Sequence, residues 1–172
     1  MTGVQTCALP ISPLLARHTV CARPHGSDVE TWAVYSAAYG ALDRWVTHGV
    51  KPATAERIQV SVKPSPGSLT IIRDGDGIAL GGIRLPRVAL PTGLNSGDNE
   101  PTLPADALNP ACPIFGTHMP FAAANLKARY PSRLVYRREL KRIVDALVVR
   151  GFVLAADAPT LIRSADAAMA GR

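Results

Sequence analysis

The segment from Val29 to Val46 constrains the fold most, because its apolar residues recur at intervals of three and four. These residues are Val29, Trp32, Tyr35, Tyr39, Leu42, Trp45 and Val46. Such spacing is typical of an amphipathic helix that packs one side against other elements. Ser27 or Asp28 can cap the start of this helix, and Gly49 follows its end. We therefore predict a helix over residues 27–49.

The rest of the chain combines helices with one hairpin and long loops. We predict a short helix over residues 121–129 and a longer one through residues 136–148, ended by Gly151. Asp157 can cap a last helix that has Pro159 in its first turn. Asp74-Gly75-Asp76-Gly77 separates two apolar segments and predicts a hairpin turn. Residues 50–67 and 91–120 are rich in Pro, Ser, Gly or Asn and are predicted to be irregular.

Residues 1–11, MTGVQTCALPI, resemble the conceptual translation of a common sequencing adapter, residue for residue. Segments that do not belong to the native protein are excluded before the fold is considered. We therefore expect residues 12–172 to be a fragment without its natural N-terminus. This interpretation removes Cys7 from the cysteine count and leaves the localisation open, export included.

The formal net charge of +6 arises largely from a basic cluster within residues 127–150. Its members are Lys127, Arg129, Arg133, Arg137, Arg138, Lys141, Arg142 and Arg150. Such a cluster fits either a nucleic-acid interface or the solvated side of a helix. Because we find no pattern of aromatic residues that would stack bases, we predict the solvated side and no nucleic-acid partner. No apolar run is long enough for a membrane span.

The sequence lacks the common catalytic motifs. It has no Gly-x-Ser-x-Gly nucleophile motif, no Walker loop and no His-Glu-x-x-His. Ser96 stands one place late for a nucleophile motif and is predicted to be a loop serine. Cys21 and Cys112 lack metal-ligand spacing and form either a long-range disulfide or two buried thiols. We predict no metal and no cofactor. The histidines, predicted to be ordinary loop or helix-end residues, are His18, His25, His48 and His118.

Several segments carry, in order, a resemblance to a known family. They are CARP, YGALDRWVTHGVKPATA, RDGDGIALGGIRLPRVALP, IFGTHMPF, LKARYPSRLVYRREL and GFVLAADAPTLIRSA, between residues 21 and 169. They resemble the C-terminal part of the bacterial alpha/beta hydrolase domain family. That family has a helix ending in Leu-Asp-x-Trp-Val, a Gly-Gly-Ile-Arg-x-Pro strand, a Phe-Gly-x-x-x-Pro-Phe loop and closing helices around Gly-Phe-x-Leu. The shared order of these segments carries the resemblance.

The resemblance implies an α/β chain that is the C-terminal fragment of an α/β-hydrolase fold. Residues 27–49 would be the last core helix, and residues 50–172 a hairpin, a loop and a helical extension. In such hydrolases the triad runs Ser, acid, His along the chain. The nucleophile and the acid would then precede Ser12. By position, His25 is a candidate general base, although the CARP segment aligns with a part of the family beyond the catalytic histidine.

The expected activity follows from the same resemblance. We expect the intact parent to be a serine esterase that acts on a small-molecule ester or acyl substrate. We expect this chain alone to be inactive, because it lacks the nucleophile and the oxyanion donors. Asn95, Asn99 and Asn109 would lie nearest the substrate. The alternative is a non-catalytic binding or scaffold module on the same fold, and a third hypothesis, based on the basic cluster alone, is a nucleic-acid-associated protein. The oligomeric state is left open.

Overall fold

The computed structural model describes residues 21–23, 26–62, 69–97, 99 and 111–170. The helices are α1 (Thr31–His48), α2 (Pro86–Ala89), α3 (Ala111–Phe115), α4 (Ala123–Arg129), α5 (Arg133–Val149) and α6 (Ala158–Ala170). The strands are β1 (Val60–Val62), β2 (Leu69–Ile71), β3 (Gly93–Ser96) and β4 (Thr117–Pro120). They form two separate antiparallel pairs, β1 with β2 and β3 with β4. The predicted mainly helical α/β composition is therefore confirmed.

The hydrophobic core lies between α5 and α6, with α2 in contact with both. The buried residues of α5 recur at helical spacing and are Tyr136, Leu140, Val144 and Leu147. They pack with residues of α6 and of the connection between the two helices, namely Phe152, Val153, Leu161 and Ala165. Ser132 caps α5 by accepting a hydrogen bond from the Val135 N–H at 3.2 Å. The predicted helices in this half of the chain are confirmed, because local periodicity and core packing agree.

Helix α1 begins later than predicted, at Thr31 rather than near Ser27. The proposed capping side chains are engaged elsewhere: the Asp28 carboxylate binds Arg87, and the Ser27 hydroxyl donates to Asn95 at 3.3 Å. Glu30 stands at the N-cap position without a side-chain capping bond. The predicted end is confirmed, since Gly49 has a φ of 68° and its N–H donates to the Trp45 carbonyl at 3.0 Å.

The strands correct the prediction of a single hairpin. The turn at Asp74 is confirmed, because its Oδ1 accepts from the Asp76 and Ile78 N–H groups at 3.0 Å each. However, β2 pairs with β1, in the segment predicted to be irregular. Residues 91–120 were predicted to be a loop, but they contain the paired strands β3 and β4. Ser96, predicted to be a loop serine, lies in β3 opposite Thr117. These strands have three or four residues each, too few for an alternating pattern to stand out.

A disulfide joins Cys21 to Cys112, which selects one of the two alternatives that the sequence left open. The two Cα atoms lie 5.7 Å apart, and the residues are separated by 91 positions. The bond therefore ties the segment before α1 to the start of α3. Among the described residues, no helix combines the length and the apolar character that crossing a membrane requires.

Replacing both bridged cysteines, Cys21→Ser with Cys112→Ser, is expected to lower the free energy of unfolding by about 4–5 kcal/mol. The loss follows from the conformational entropy that a loop of this length regains in the unfolded chain. Chemical denaturation checks it, with Cys7→Ser as the control expected to leave stability unchanged. Thiol titration of the unreduced, denatured protein should find one free thiol among the three cysteines, whereas three free thiols would contradict the bridge.

A second prediction concerns alkaline pH. Burial raises the pKa of Tyr130 to about 12 and that of the Tyr136 phenol well above its usual range. Their protonated forms therefore stabilise the folded chain fully below about pH 10, and this contribution is lost as the pH rises towards 12. Each phenol should lower the free energy of unfolding by about 1.4 kcal/mol per pH unit in that window. Denaturation at several pH values measures the slope, which Tyr130→Phe should reduce.

Candidate functional site

A polar cluster lies where the segment before α1 meets α2, β3, β4 and α6. We call Asp28, Glu30, Arg87, Asn95, His118 and Ser164 the polar cluster. Its carboxylates come from the four residues before α1, and its guanidinium from the single turn of α2. Asn95 and His118 stand opposite each other in the register of β3 and β4. The cluster thus joins elements that are far apart in the sequence.

Arg87 is the centre of the polar cluster. Its Nε donates to Glu30 Oε1 at 2.7 Å, one terminal nitrogen binds Asp28 Oδ2, and the other donates to the Ser164 carbonyl at 3.1 Å. The Ser164 hydroxyl donates to the same Glu30 oxygen at 3.0 Å. Only 13% of the Arg87 side chain and 5% of the Glu30 side chain are exposed. Ion pairs so withdrawn from water are costly to break, because a lone charge is left buried.

His118 occupies the other side of Asp28. Its Nδ1 lies 3.1 Å from Asp28 Oδ1 and 3.2 Å from Asn95 Oδ1. Asn95 Oδ1 also accepts from the Asp28 N–H at 3.3 Å. The imidazole lies directly over Gly93, where an added Cβ would come within 2.5 Å of its Cε1 atom. Gly93 therefore leaves the space that the ring occupies.

The ion pairs and hydrogen bonds of this arrangement hold separate elements together. A histidine whose Nδ1 faces a carboxylate is a component of acyl-transfer triads. Here, however, the second oxygen of Asp28 is bound to Arg87, and Asn95 competes for the same imidazole nitrogen. Within the described part of the chain, Asp28 Oδ1 has no well-aligned hydrogen bond despite its nearness to Nδ1. The two carboxylates of Asp28 and Glu30 thus face the one guanidinium of Arg87.

The asparagines predicted to lie near a substrate have different environments in the structure. Asn95 belongs to the polar cluster and is 6% exposed. Asn99 is a buried bridge instead, because its side chain donates to the carbonyls of Arg23 and Gly116 at 3.0 and 2.9 Å and accepts from the Arg23 N–H at 3.2 Å. His25, the candidate base, and Asn109 lie outside the described residues.

His118 was wrongly predicted to be an ordinary loop histidine, since it lies on β4 beside Asp28. Nothing in its own neighbourhood in the sequence signals this contact, because the acidic partner lies far upstream. One local observation points to another role for Ser27 and Asp28. Both residues could cap a helix, but α1 begins several residues after them, at Thr31.

Tertiary contacts supply acidic partners for the basic cluster. Asp76 accepts two hydrogen bonds from Arg129, and Asp166 accepts hydrogen bonds from both Arg133 and Arg137. Bonds from Arg137 and Arg133 hold the pKa of Asp166 well below its usual range. On α5 itself, Lys141 pairs with Asp145 and Arg142 with Glu139. These ion pairs involve five of the eight cations of the basic cluster and support the interpretation of a solvated face.

A cleft of about 250 Å³ lies apart from the polar cluster, between α5 and the turn at Gly81 and Gly82. The charged residues that line it are Glu56, Arg84, Arg142 and Arg150. Arg84 is paired with Asp74 at 2.7 Å, so part of its charge is already compensated. Among the residues that the structure describes, no three His, Cys, Asp or Glu side chains are grouped to hold a metal ion.

Replacing the central guanidinium by an apolar side chain, Arg87→Met, should lower the free energy of unfolding by about 3–5 kcal/mol. The variant leaves the carboxylates of Asp28 and Glu30 withdrawn from water without their cation. Thermal or chemical denaturation measures the loss. Arg138→Met, at an exposed position on α5, is the matched control and should change stability by less than about 0.5 kcal/mol.

Adding Glu30→Gln to Arg87→Met should restore part of the stability, because one of the two unpaired charges is then removed. An effect of Arg87→Met no larger than that of Arg138→Met would contradict the central place of this ion-pair network.

The family described as alpha/beta hydrolase domain matches residues 6–163, which is most of the chain and begins inside the segment of residues 1–11. No curated protein and no solved structure matches the chain. The matched span includes every residue of the polar cluster except Ser164, together with α1 and α5. The chain belongs to the alpha/beta hydrolase domain family.

Proposed function

We propose that this chain is the C-terminal part of a serine ester hydrolase and that it does not hydrolyse esters by itself. Membership of the alpha/beta hydrolase domain family supports the assignment to a hydrolase. The substrate would be a small-molecule ester or acyl compound, since acyl transfer is the reaction that a Ser-His-acid triad performs. The catalytic nucleophile would belong to a segment of the parent that is not part of these residues.

The way in which His118 is held supports the second half. A general base needs a ring nitrogen within reach of the nucleophile and a carboxylate that orients it. The Nδ1 side of His118 meets both Asp28 and Asn95, and the ring lies against Gly93. The carboxylate of Asp28 also forms an ion pair with Arg87. In addition, the sequence contains no Gly-x-Ser-x-Gly motif. We therefore propose that the polar cluster supports the fold of the hydrolase.

The purified chain is expected to show no turnover of p-nitrophenyl acetate or butyrate above the buffer rate. A fluorophosphonate probe, which reacts with activated serines, should leave it unlabelled. Ser96→Ala and His118→Ala are the control variants, and neither should change these results. Turnover that Ser96→Ala abolishes would show that Ser96 is a nucleophile. Turnover that His118→Ala abolishes would instead identify His118 and Asp28 as a catalytic pair. Either result would overturn the proposed inactivity.

The proposed serine chemistry of the parent needs a separate test. Intact genomic DNA should extend the reading frame and encode Gly-x-Ser-x-Gly after a strand pattern. The intact protein should then hydrolyse esters and lose this activity when that serine is replaced by alanine. An intact reading frame without the motif would contradict the proposal and favour the alternative, a non-catalytic binding or scaffold module on the same fold.

A further inference from the structure

The cleft beside α5 shares no residue with the polar cluster. Its volume of about 250 Å³ lies just below the range of about 300–1,000 Å³ that is typical of pockets for drug-sized ligands. One wall is formed by α5 and by Arg150, which follows it, and the other by Glu56, Gly81 and Gly82. The cleft therefore has room for a small molecule.

Small residues on both walls keep the cleft open. Ala146 stands in the middle of the α5 wall, about one helical turn after Arg142 and one before Arg150. On the other wall, Gly81 and Gly82 have φ values of 82° and 70° and no side chains that could fill the space. The space thus lies between Ala146 and the two glycines, with a guanidinium-bearing residue on each side of Ala146.

The two arginines of the α5 wall have hydrogen-bond donors available for a ligand. The Arg150 guanidinium lies 4.8 Å from the centre of the Phe152 ring, and its side chain forms no ion pair or hydrogen bond with any described residue. Arg142 uses its Nε, which donates to Glu139 at 2.8 Å. Because that pair is well exposed to water, it contributes little and leaves the terminal nitrogens of Arg142 free to bind an anionic group.

The opposite wall presents a negative charge. The Glu56 carbonyl accepts from the Gly82 N–H at 3.0 Å, which fixes this residue beside the glycine turn. Within the described ranges, its carboxylate forms no ion pair, although three arginines line the same cleft. The third of these, Arg84, is bound to Asp74 at 2.7 Å. Glu56 and the arginines of the α5 wall therefore face one space without contacting each other.

We propose that this cleft binds a small zwitterion with an apolar side chain, such as a free aliphatic amino acid. The ligand carboxylate binds Arg142 and Arg150, whose planar guanidinium groups match its geometry. The ligand ammonium group binds Glu56. The apolar side chain contacts Ile143 and Leu147, which make the α5 wall apolar between the two arginines.

The charges of the two walls favour a zwitterion over simpler ligands. A simple anion would bind the arginines but bring a like charge towards Glu56, and a simple cation would do the same towards the arginines. A molecule that carries both charges meets an opposite charge on each wall. Since the cleft and the polar cluster have no residue in common, binding here is independent of ester hydrolysis.

Titration of the full, ¹⁵N-labelled chain with L-leucine is expected to shift the amide signals of Gly81, Gly82 and Ala146 in a saturable way. N-acetyl-L-leucine lacks the ammonium group, and L-leucinamide lacks the carboxylate. Each should bind at least about fivefold more weakly than L-leucine, because one charged hydrogen-bonded contact is lost.

Substitutions on the two walls should have opposite effects on the two analogues. Arg150→Gln should weaken L-leucine by about fivefold or more and leave L-leucinamide unchanged. Glu56→Gln should weaken L-leucine and strengthen N-acetyl-L-leucine. Arg163→Gln, at an exposed position on α6 outside the cleft, is the matched control and should change nothing. Arg142→Gln repeats the test on the same wall without altering the contact between Arg150 and Phe152.

The melting temperature and the amide spectrum of each variant verify that its fold is retained, as expected for exposed residues. The absence of a saturable shift with L-leucine would overturn the proposal. Tighter binding of N-acetyl-L-leucine than of L-leucine would overturn it as well and assign the cleft to simple anions. So would an Arg163→Gln variant that weakens L-leucine as much as Arg150→Gln does.

Discussion

The ion pairs of Arg87 are the constraint on which the rest of the arrangement depends. A single guanidinium on the short helix α2 binds Asp28, Glu30 and the backbone of α6, over separations of 57 to 77 residues. Because Thr31, the first residue of α1, follows Glu30 directly, these bonds hold the start of α1 in place. The Cys21–Cys112 disulfide and the Asn99 bridge hold the preceding segment to the same region. The polar cluster is therefore the joint between α1 and the helical core.

The same joint places a histidine beside a carboxylate in this chain of the alpha/beta hydrolase domain family. His118 lies where Asp28 and Asn95 both face its Nδ1, and Arg87 shares the carboxylate. In a catalytic triad, the carboxylate accepts a hydrogen bond from the imidazole and orients it. Asp28 serves the guanidinium as well. Through this ion pair, Asp28 connects the segment before α1 to α2.

Some features of the fold could be predicted from local sequence because their causes are local. Helix α5 follows from the spacing of Tyr136, Leu140 and Val144, and the turn at Asp74 from an aspartate that binds the following N–H groups. The pairing of β3 with β4 could not be predicted in this way, since about twenty residues separate strands of four residues each. The contact of His118 with Asp28 could not be predicted either, because it forms only when the pair of β3 and β4 packs against the segment before α1.

Helix α1 shows both sides of this division. The sequence by itself determined that the segment is an amphipathic helix ending at Gly49, because apolar spacing and a left-handed glycine act within a few residues. Only the tertiary structure decided which side is buried. The aromatic stripe carries the strongest hydrophobic signal, yet the chain packs through Ala33, Ala37 and Ala41 and leaves Tyr39 exposed. The physical reason is that burial depends on contacts with residues distant in the sequence: Arg87 binds Asp28 and Glu30 just before α1, and Ala33 and Val34 of α1 pack against the core.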